Sequence, residues 1–246
     1  MGLIHPSYQQ LLNRLSKIKP YFKVDLIDLP DETFQLVKLS KNVPTDVPLL
    51  VIMAGCHGEE LAPPLAIFEN YKLISGAAEE NRINLVIYPL VNPWGFGRNE
   101  RFNHKGLNCN SNWVHEKDVC VADEVRAISG DIKELKPLIF ASTHEDDEVE
   151  EEFFLYSFGD RRYENPLITI GKEYFTVLGN RDYGNTKVKD GVVFDYHDGS
   201  AEDLMSHRGC KFSCCTETPS SQPLARRMEC NRDLILKLIE LTGKIS

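Results

Sequence analysis

Pro48-Leu49-Leu50-Val51-Ile52-Met53-Ala54-Gly55-Cys56-His57-Gly58-Glu59-Glu60 sets an uninterrupted apolar run against an imidazole and two carboxylates. A short apolar run bounded by proline and glycine reads as a central strand buried on both faces. The residues that follow fall where sites in α/β sheets gather, outside the carboxyl ends of strands. His57 and Glu60 stand three positions apart there, where the next helix begins. A second histidine, His144, follows the apolar run Pro137-Leu138-Ile139-Phe140-Ala141, and Phe212-Ser213-Cys214-Cys215-Thr216 delivers Glu217. Two histidines and one glutamate form a three-ligand zinc set with the fourth position open to water, and a spare carboxylate serves as base.

Outward from these strands, the chain alternates strand and helix patterns. Tyr8 to Ile18 has helical spacing of Leu11, Leu12, Leu15 and Ile18. Residues 22–27 and 34–39 alternate as half-buried strands, with Pro30-Asp31-Glu32 as their turn. Leu61 to Leu73 reads as a helix with Pro63 and Pro64 in its first turn. Ile83 to Leu90 is a buried strand ending at the turn Val91-Asn92-Pro93-Trp94-Gly95. Residues 95–117 lack periodicity, a length of irregular chain that points to function. Helices are predicted over Ala122–Leu135, Asn165–Tyr174, Ala201–Ser206 and Leu224–Thr242, and strands over Phe153–Phe158 and Lys211–Thr216. Residues 181–200 read as a loop interrupted by Val192-Val193-Phe194. The pattern predicts a mixed or mainly parallel sheet with helices on both faces, and the length fits one α/β domain over residues 1–246.

Composition narrows the function classes. A net charge of −9 argues against nucleic acid as a partner, which needs a basic face. No apolar segment approaches the length of a membrane span, and the first residues lack signal-peptide architecture. Gly2 is followed by Pro6 where myristoylation prefers Ser or Thr. Seven cysteines without CxxC spacing, several inside apolar strands, fit buried reduced thiols. The expectation is a cytoplasmic protein. Residues 145–152 hold seven carboxylates in eight positions, either a solvated loop or a cation-attracting rim on the site.

Taken together, these landmarks resemble the zinc carboxypeptidase (M14) family from about His57 to Pro219. His57-Gly58-Glu59-Glu60 resembles its HxxE pair, and Asn92-Pro93-Trp94-Gly95-Phe96 its NPxG turn. Arg101 through Trp113 resembles its RxNxxGxDLNRNF stretch, Thr143-His144 its third ligand, and Gly199 through Pro219 the approach to its catalytic glutamate. The resemblance implies a three-layer α/β/α sandwich around a mixed, mostly parallel sheet of about eight strands. It implies one Zn²⁺ per chain on His57, Glu60 and His144, with Glu59 pointing outward. Glu217 then activates the zinc-bound water, whose pKa the metal brings towards ~7, and passes its proton to the leaving amine. Arg101 holds the developing oxyanion, and Asn92 and Pro93 shape the turn beneath.

Three departures bear on the substrate. Where the family carries Asn-Arg, this chain has Asn110-Ser111, and serine cannot grip a terminal carboxylate as arginine does. Asn110 remains a candidate for substrate contact, and Arg98, Arg181 and Arg208 are left as candidates for the missing charge. Tyr196 is the candidate for the family's mobile tyrosine. Glu202 falls near the position that sets side-chain preference and favours a positive group, or, with Asp203, merely starts a helix. His104, His115, His197 and His207 match no ligand position and read as surface or loop residues. The short spacing from Glu60 to His144 resembles compact bacterial peptidoglycan-peptide amidases and the desuccinylase/aspartoacylase group. The expected function is a zinc metallopeptidase of carboxypeptidase type, hydrolysing small peptides. The alternatives are an N-acyl amino acid deacylase and a catalytically silent metal- or peptide-binding homologue.

Overall fold

The computed structural model describes residues 7–30, 34–42, 46–114 and 121–244. The turn at Asp31-Glu32, His115, and the Gly2 and Pro6 positions lie outside these described residues. In chain order the elements are α1 (Tyr8–Leu12), α2 (Leu15–Ile18), β1 (Lys23–Asp28), β2 (Gln35–Lys41), β3 (Leu49–Ala54), α3 (Ala62–Glu80), β4 (Asn84–Tyr88) and α4 (Pro93–Phe96). They continue as α5 (Asp123–Glu134), β5 (Ile139–Asp146), β6 (Glu152–Gly159), α6 (Glu164–Tyr174), β7 (Thr176–Val177), β8 (Arg181–Tyr183), β9 (Thr186–Lys189), β10 (Val192–Phe194), α7 (Ala201–His207), β11 (Phe212–Pro219) and α8 (Leu224–Gly243).

One sheet runs in the order β1-β2-β4-β3-β5-β11-β6-β10-β9-β8, with β7 beside β6. Its centre, β4-β3-β5-β11, is parallel throughout. On the flanks, β1-β2, β2-β4, β11-β6, β10-β9 and β8-β9 are antiparallel. Parallel pairing recurs on one flank, at β6-β10 and β6-β7, so the sheet is mixed, with its parallel pairs concentrated at the centre. The sheet has eleven strands rather than about eight. The strands not named from the sequence are the two-residue β7 and three of three or four residues each within 181–194, a stretch read above as a loop interrupted by Val192-Val193-Phe194. Segments this short carry too few alternating positions to register as strands. The Tyr8–Ile18 helix is also divided, because the chain turns at Asn13-Arg14.

Side-chain alternation along the strands builds the three layers. Leu50, Ile52 and Ala54 of β3 join Ile139 and Ala141 of β5 in a core capped by α3, α6 and α8. Val51 and Met53 point the other way, with Phe140, into a second core under α5 and α7. This double burial is why β3 shows no polar alternation. Among the described residues, no helix is long and apolar enough to cross a membrane.

Candidate metal centre

The three central strands β3, β5 and β11 end on one rim, and each delivers one part of the site. β3 stops at Ala54, and Gly55 turns the chain at φ +63°. A Cβ at Gly55 would meet Leu90 Cδ1 at 2.6 Å, so glycine is needed for both conformation and space. His57 and Glu60 follow. His144 lies inside β5 rather than after it, because the pairing with β11 runs on to Asp146. Glu217 is the register partner of His144 on β11, so both side chains leave the same face side by side.

The loop 57–60 sits on the turn at Asn92. The Asn92 Oδ1 accepts from the Gly95 amide at 2.9 Å, and its Nδ2 donates to the Arg101 carbonyl at 3.0 Å. The Gly58 amide also donates to the Arg101 carbonyl, at 3.4 Å. The turn thus fastens Arg101 beside the metal ligands. Arg101 Nη1 lies 3.1 Å from Glu59 Oε1 and 3.8 Å from Glu60 Oε1. Glu59 therefore turns towards Arg101 instead of pointing outward. Glu60 comes first in raising the Arg101 guanidinium pKa against the opposing effect of burial, followed by Glu59 and Glu217.

His57, Glu60 and His144 are all buried and their donor atoms converge. His57 Nδ1 is 2.5 Å from Glu60 Oε1, His144 Nδ1 is 2.9 Å from Glu60 Oε2, and the two Nδ1 atoms are 3.2 Å apart. His57 Nε2 donates to Asn108 Oδ1 at 3.0 Å, which leaves the Nδ1 lone pair facing the other donors. Glu60 Oε2, with His144 Nδ1 beside it, and His144 Nε2 are both buried without a well-oriented hydrogen bond. Converging lone pairs around an unsatisfied carboxylate oxygen need a cation between them. Two imidazoles and one carboxylate are the donor set that zinc takes in hydrolytic sites, so the residues fit the ion. Without one, burial works to raise the Glu60 pKa, but the His144 and His57 imidazoles outweigh it and hold it well below the carboxylate range. Burial works to lower His144, and the Glu60 carboxylate outweighs it and raises it well above the usual value.

Glu217 borders the same cleft and accepts from the Cys215 thiol at 3.3 Å. Burial pushes its pKa well up, and the nearby Glu60 charge adds to this against the pull of His144. A raised carboxyl pKa suits a group that must both take and return a proton. Glu202 is buried, with Oε2 accepting from Ser142 Oγ at 3.0 Å and the Asn110 amide 3.5 Å from Oε1. It lines the cleft and also belongs to the first turn of α7, where an acidic residue is favoured. Tyr196 lines the cleft and packs on Tyr156 with ring centroids 5.9 Å apart. The cleft measures about 340 Å³.

The three arginines left to replace the missing charge are elsewhere. Arg98 stacks over Trp94, Arg181 pairs with Glu152, and Arg208 donates to the Lys133 carbonyl. Arg101 is the only lysine or arginine among the described cleft-lining residues. The cleft is instead acidic, with Asp146, Asp147, Glu148, Asp198 and Glu202 around it. Within the acidic run, strand alternation divides the roles. Glu145 turns to the opposite face, where it pairs with Arg227 and accepts from the Ala62 amide at 2.9 Å. Asp146 accepts from the Tyr183 hydroxyl at 2.6 Å on the cleft side.

Sequence reasoning missed Asn108, Tyr156, Tyr183 and Asp198. Asn108 stood inside the quoted motif without a role. The other three lie on strands or loops with no motif of their own, and only sheet order brings them in.

The succinylglutamate desuccinylase/aspartoacylase catalytic domain family matches residues 46–155. That span holds the three candidate ligands and ends before Glu217. No curated protein matches the chain. Among solved structures, a protein of Shewanella amazonensis provisionally described as a metallopeptidase is similar at TM-score 0.87 and 26% identity, covering 95% of this chain and 92% of that one. A Shewanella denitrificans protein with the same provisional description gives 0.85 and 26%, over 96% and 91%. A metallo-carboxypeptidase from Pseudomonas aeruginosa, in complex with (2-guanidinoethylmercapto)succinic acid, gives 0.74 and 14%, over 97% of this chain and 69% of that one. The fold is carboxypeptidase-like. The chain falls in the zinc-hydrolase superfamily that includes carboxypeptidases and the desuccinylase/aspartoacylase group.

Proposed function

We propose that the protein is a zinc-dependent amide hydrolase whose substrate is a small peptide or acylated amine carrying a positive charge. The observation that carries this reading is the charge of the cleft. Beyond its ligands it presents five carboxylates that are neither the base nor tied to Arg227, against one arginine. An acidic cleft attracts ammonium or guanidinium groups and repels a free terminal carboxylate. The Asn110-Ser111 pair on the cleft wall supplies no charge to reverse that preference.

The residues divide the work as follows. His57, Glu60 and His144 hold the metal. When bound, the ion supplies Lewis acidity towards the scissile carbonyl and lowers the pKa of water. Glu217 takes a proton from the attacking water and returns it to the departing amine nitrogen, a role worth ~10²–10⁴ in rate. Arg101, held by Glu59 and the Asn92 turn, places its guanidinium for the negative charge that develops on the carbonyl oxygen. Asp198 and Glu202 face the part of the substrate beyond the reacting carbonyl. Tyr196 and Tyr156 form the aromatic wall.

The acylated-amine form of the substrate gains from the family match over residues 46–155, the peptide form from the structural relatives. The test pairs a variant with a substrate panel. Glu217→Gln is expected to keep its zinc and lose turnover by ~10²–10⁴. A panel of N-acetyl diamines, N-acetyl-lysine, basic dipeptides, N-succinylglutamate and neutral dipeptides is expected to favour the cationic members. Turnover by Glu217→Gln at the wild-type rate would overturn the assignment of the base. Equal activity on succinylglutamate and the cationic substrates would overturn the charge reading.

A further inference from the structure

A second group of metal-ligating side chains lies behind the cleft wall. His197, Asp203 and His207 bring one donor atom each into the same small volume. His197 Nδ1 is 2.6 Å from Asp203 Oδ1; His207 Nδ1 is 3.1 Å from the same oxygen and donates to the Asp203 carbonyl at 2.9 Å, a bond that an ion would replace. These separations span the range seen at His57, Glu60 and His144. The two imidazoles stand with ring centroids 5.0 Å apart.

The orientation of His197 repeats the logic of the first centre. His197 Nε2 lies 3.2 Å from Asp195 Oδ1, so in the neutral ring that nitrogen can carry the proton and point it towards the carboxylate, freeing Nδ1 for an ion in place of its hydrogen bond to Asp203. The same arrangement holds His57 through Asn108, and outer carboxylates of this kind orient metal-bound histidines generally. Asp203 is buried, and its Oδ2 already accepts from the Gly199 amide at 2.9 Å. That bond fixes the carboxylate with Oδ1 aimed between the two rings. Both rings are about half exposed, so the group is open to solvent and to an ion.

We propose that His197, Asp203 and His207 form a second transition-metal site, suited to Zn²⁺, with a water as the remaining ligand. The ion ties the loop 195–200 to helix α7. Tyr196 and Asp198 on that loop, and Glu202 on that helix, all line the cleft. A metal at this site therefore braces the wall that faces the substrate and takes no part in bond breaking. When no ion is bound, a proton fills the gap, and hydrogen bonding to Asp203 raises the His197 pKa. The proposal stands independently of the reaction assigned above, because it rests on different side chains.

The experiment is zinc stoichiometry. Protein stripped with chelator and dialysed against a zinc buffer is measured by elemental analysis, and Co²⁺ substitution gives a d–d spectrum for each site. The wild type is expected to take up two ions per chain. His197→Gln/His207→Gln is expected to take up one and to lose one component of the cobalt spectrum. His57→Ala is expected to retain the other. Thermal unfolding of the metal-free forms checks that each variant folds, and an anomalous zinc-edge peak between the three side chains checks the position. One ion per chain in the wild type, or two ions in His197→Gln/His207→Gln, would overturn the proposal.

Discussion

Gly58→Ala tests whether the loop 57–60 is held by close backbone packing. A Cβ at Gly58 would lie 2.0 Å from the Gly95 carbonyl carbon, 2.3 Å from the Phe96 nitrogen and 2.4 Å from the Glu100 oxygen. Ordinary contact begins at 3.4 Å, so the nearest atom must retreat by 3.4 − 2.0 = 1.4 Å. All three atoms are backbone, and the turn they belong to is anchored by both ends of the Asn92 amide. No rotamer change relieves the clash. Overpacking typically costs ~1–3 kcal/mol, and the absence of a flexible neighbour puts this site at about 3. For a chain of this size ~3 kcal/mol lowers Tm by about 6–12 °C. The displacement also separates His57 from Glu60 and shifts Arg101, so zinc affinity is expected to fall by ~10–100-fold. Gly76→Ala is the control. Gly76 lies inside α3 with nothing within 4 Å of its Cβ position. Alanine there gains ~0.5–1 kcal/mol over glycine, about 1–4 °C in Tm. Calorimetry on metal-free protein reads the stabilities, and competition with a chromophoric chelator reads the affinity. A Gly58→Ala protein matching the wild type in both Tm and zinc affinity would refute the reasoning.

Two further outcomes follow from particular contacts. Zinc at about 100 times its Kd stabilises by ~2.7 kcal/mol, so stripping with chelator is expected to lower Tm by ~5–11 °C, reversibly. His57→Ala should remove the share of that response owed to the ion at His57, Glu60 and His144, and an unchanged response would place the stabilising ion elsewhere. At the other end of the chain, Asp233 on α8 accepts from Arg232 and from the Tyr174 hydroxyl. Burial works to raise its pKa, but these bonds outweigh it and hold it below the ordinary 3.8. A depressed carboxyl pKa gives stability that is present above the unfolded value and lost as pH falls through the folded one. The pair is partly exposed, so Asp233→Asn is expected to cost only ~0.5–1 kcal/mol at pH 7, a cost lost at acid pH once the folded-state carboxylate is protonated. Denaturant unfolding under both conditions checks this, and an equal loss in both would contradict it.

The strands that deliver the site were legible because each is buried on both faces and carries a candidate ligand or base near or just past its carboxyl end. β3, β5 and β11 needed only their apolar runs and the residues that follow. Their neighbours in the sheet were not, since strand order is set by long-range pairing. That order puts Tyr156, on β6, and Tyr183, beyond β10, beside a glutamate on β11. Arg98, Arg181 and Arg208 failed as replacements for a similar reason. A charge on a loop, a helix end or a three-residue strand has no periodicity to say which way it points, and all three found other partners. His197 and His207 looked solitary in sequence because the residue that joins them, Asp203, reads first as an acidic helix start.

The acidic run shows where period-two reasoning reaches further than motif matching. Seven carboxylates in eight residues suggest one solvated stretch, yet β5 continues through their first two members. On a strand, His144 and Asp146 must share a face, and Glu145 must take the other. Glu145 accordingly reaches Arg227 and the start of α3, while Asp146 lies in the cleft with Tyr183. The same alternation parts Cys214 from Cys215, sending one thiol into the α3–α8 core and the other towards Glu217. It also fixes the sign of the cleft. With Glu145 neutralised on the far side, Asp146, Asp147 and Glu148 remain on the near side without a basic residue among their cleft neighbours except Arg101. Arginine at Ser111 would have balanced them. Without it the cleft keeps its acidic excess, and the charge of the cleft wall is what the proposed preference for a cationic substrate rests on.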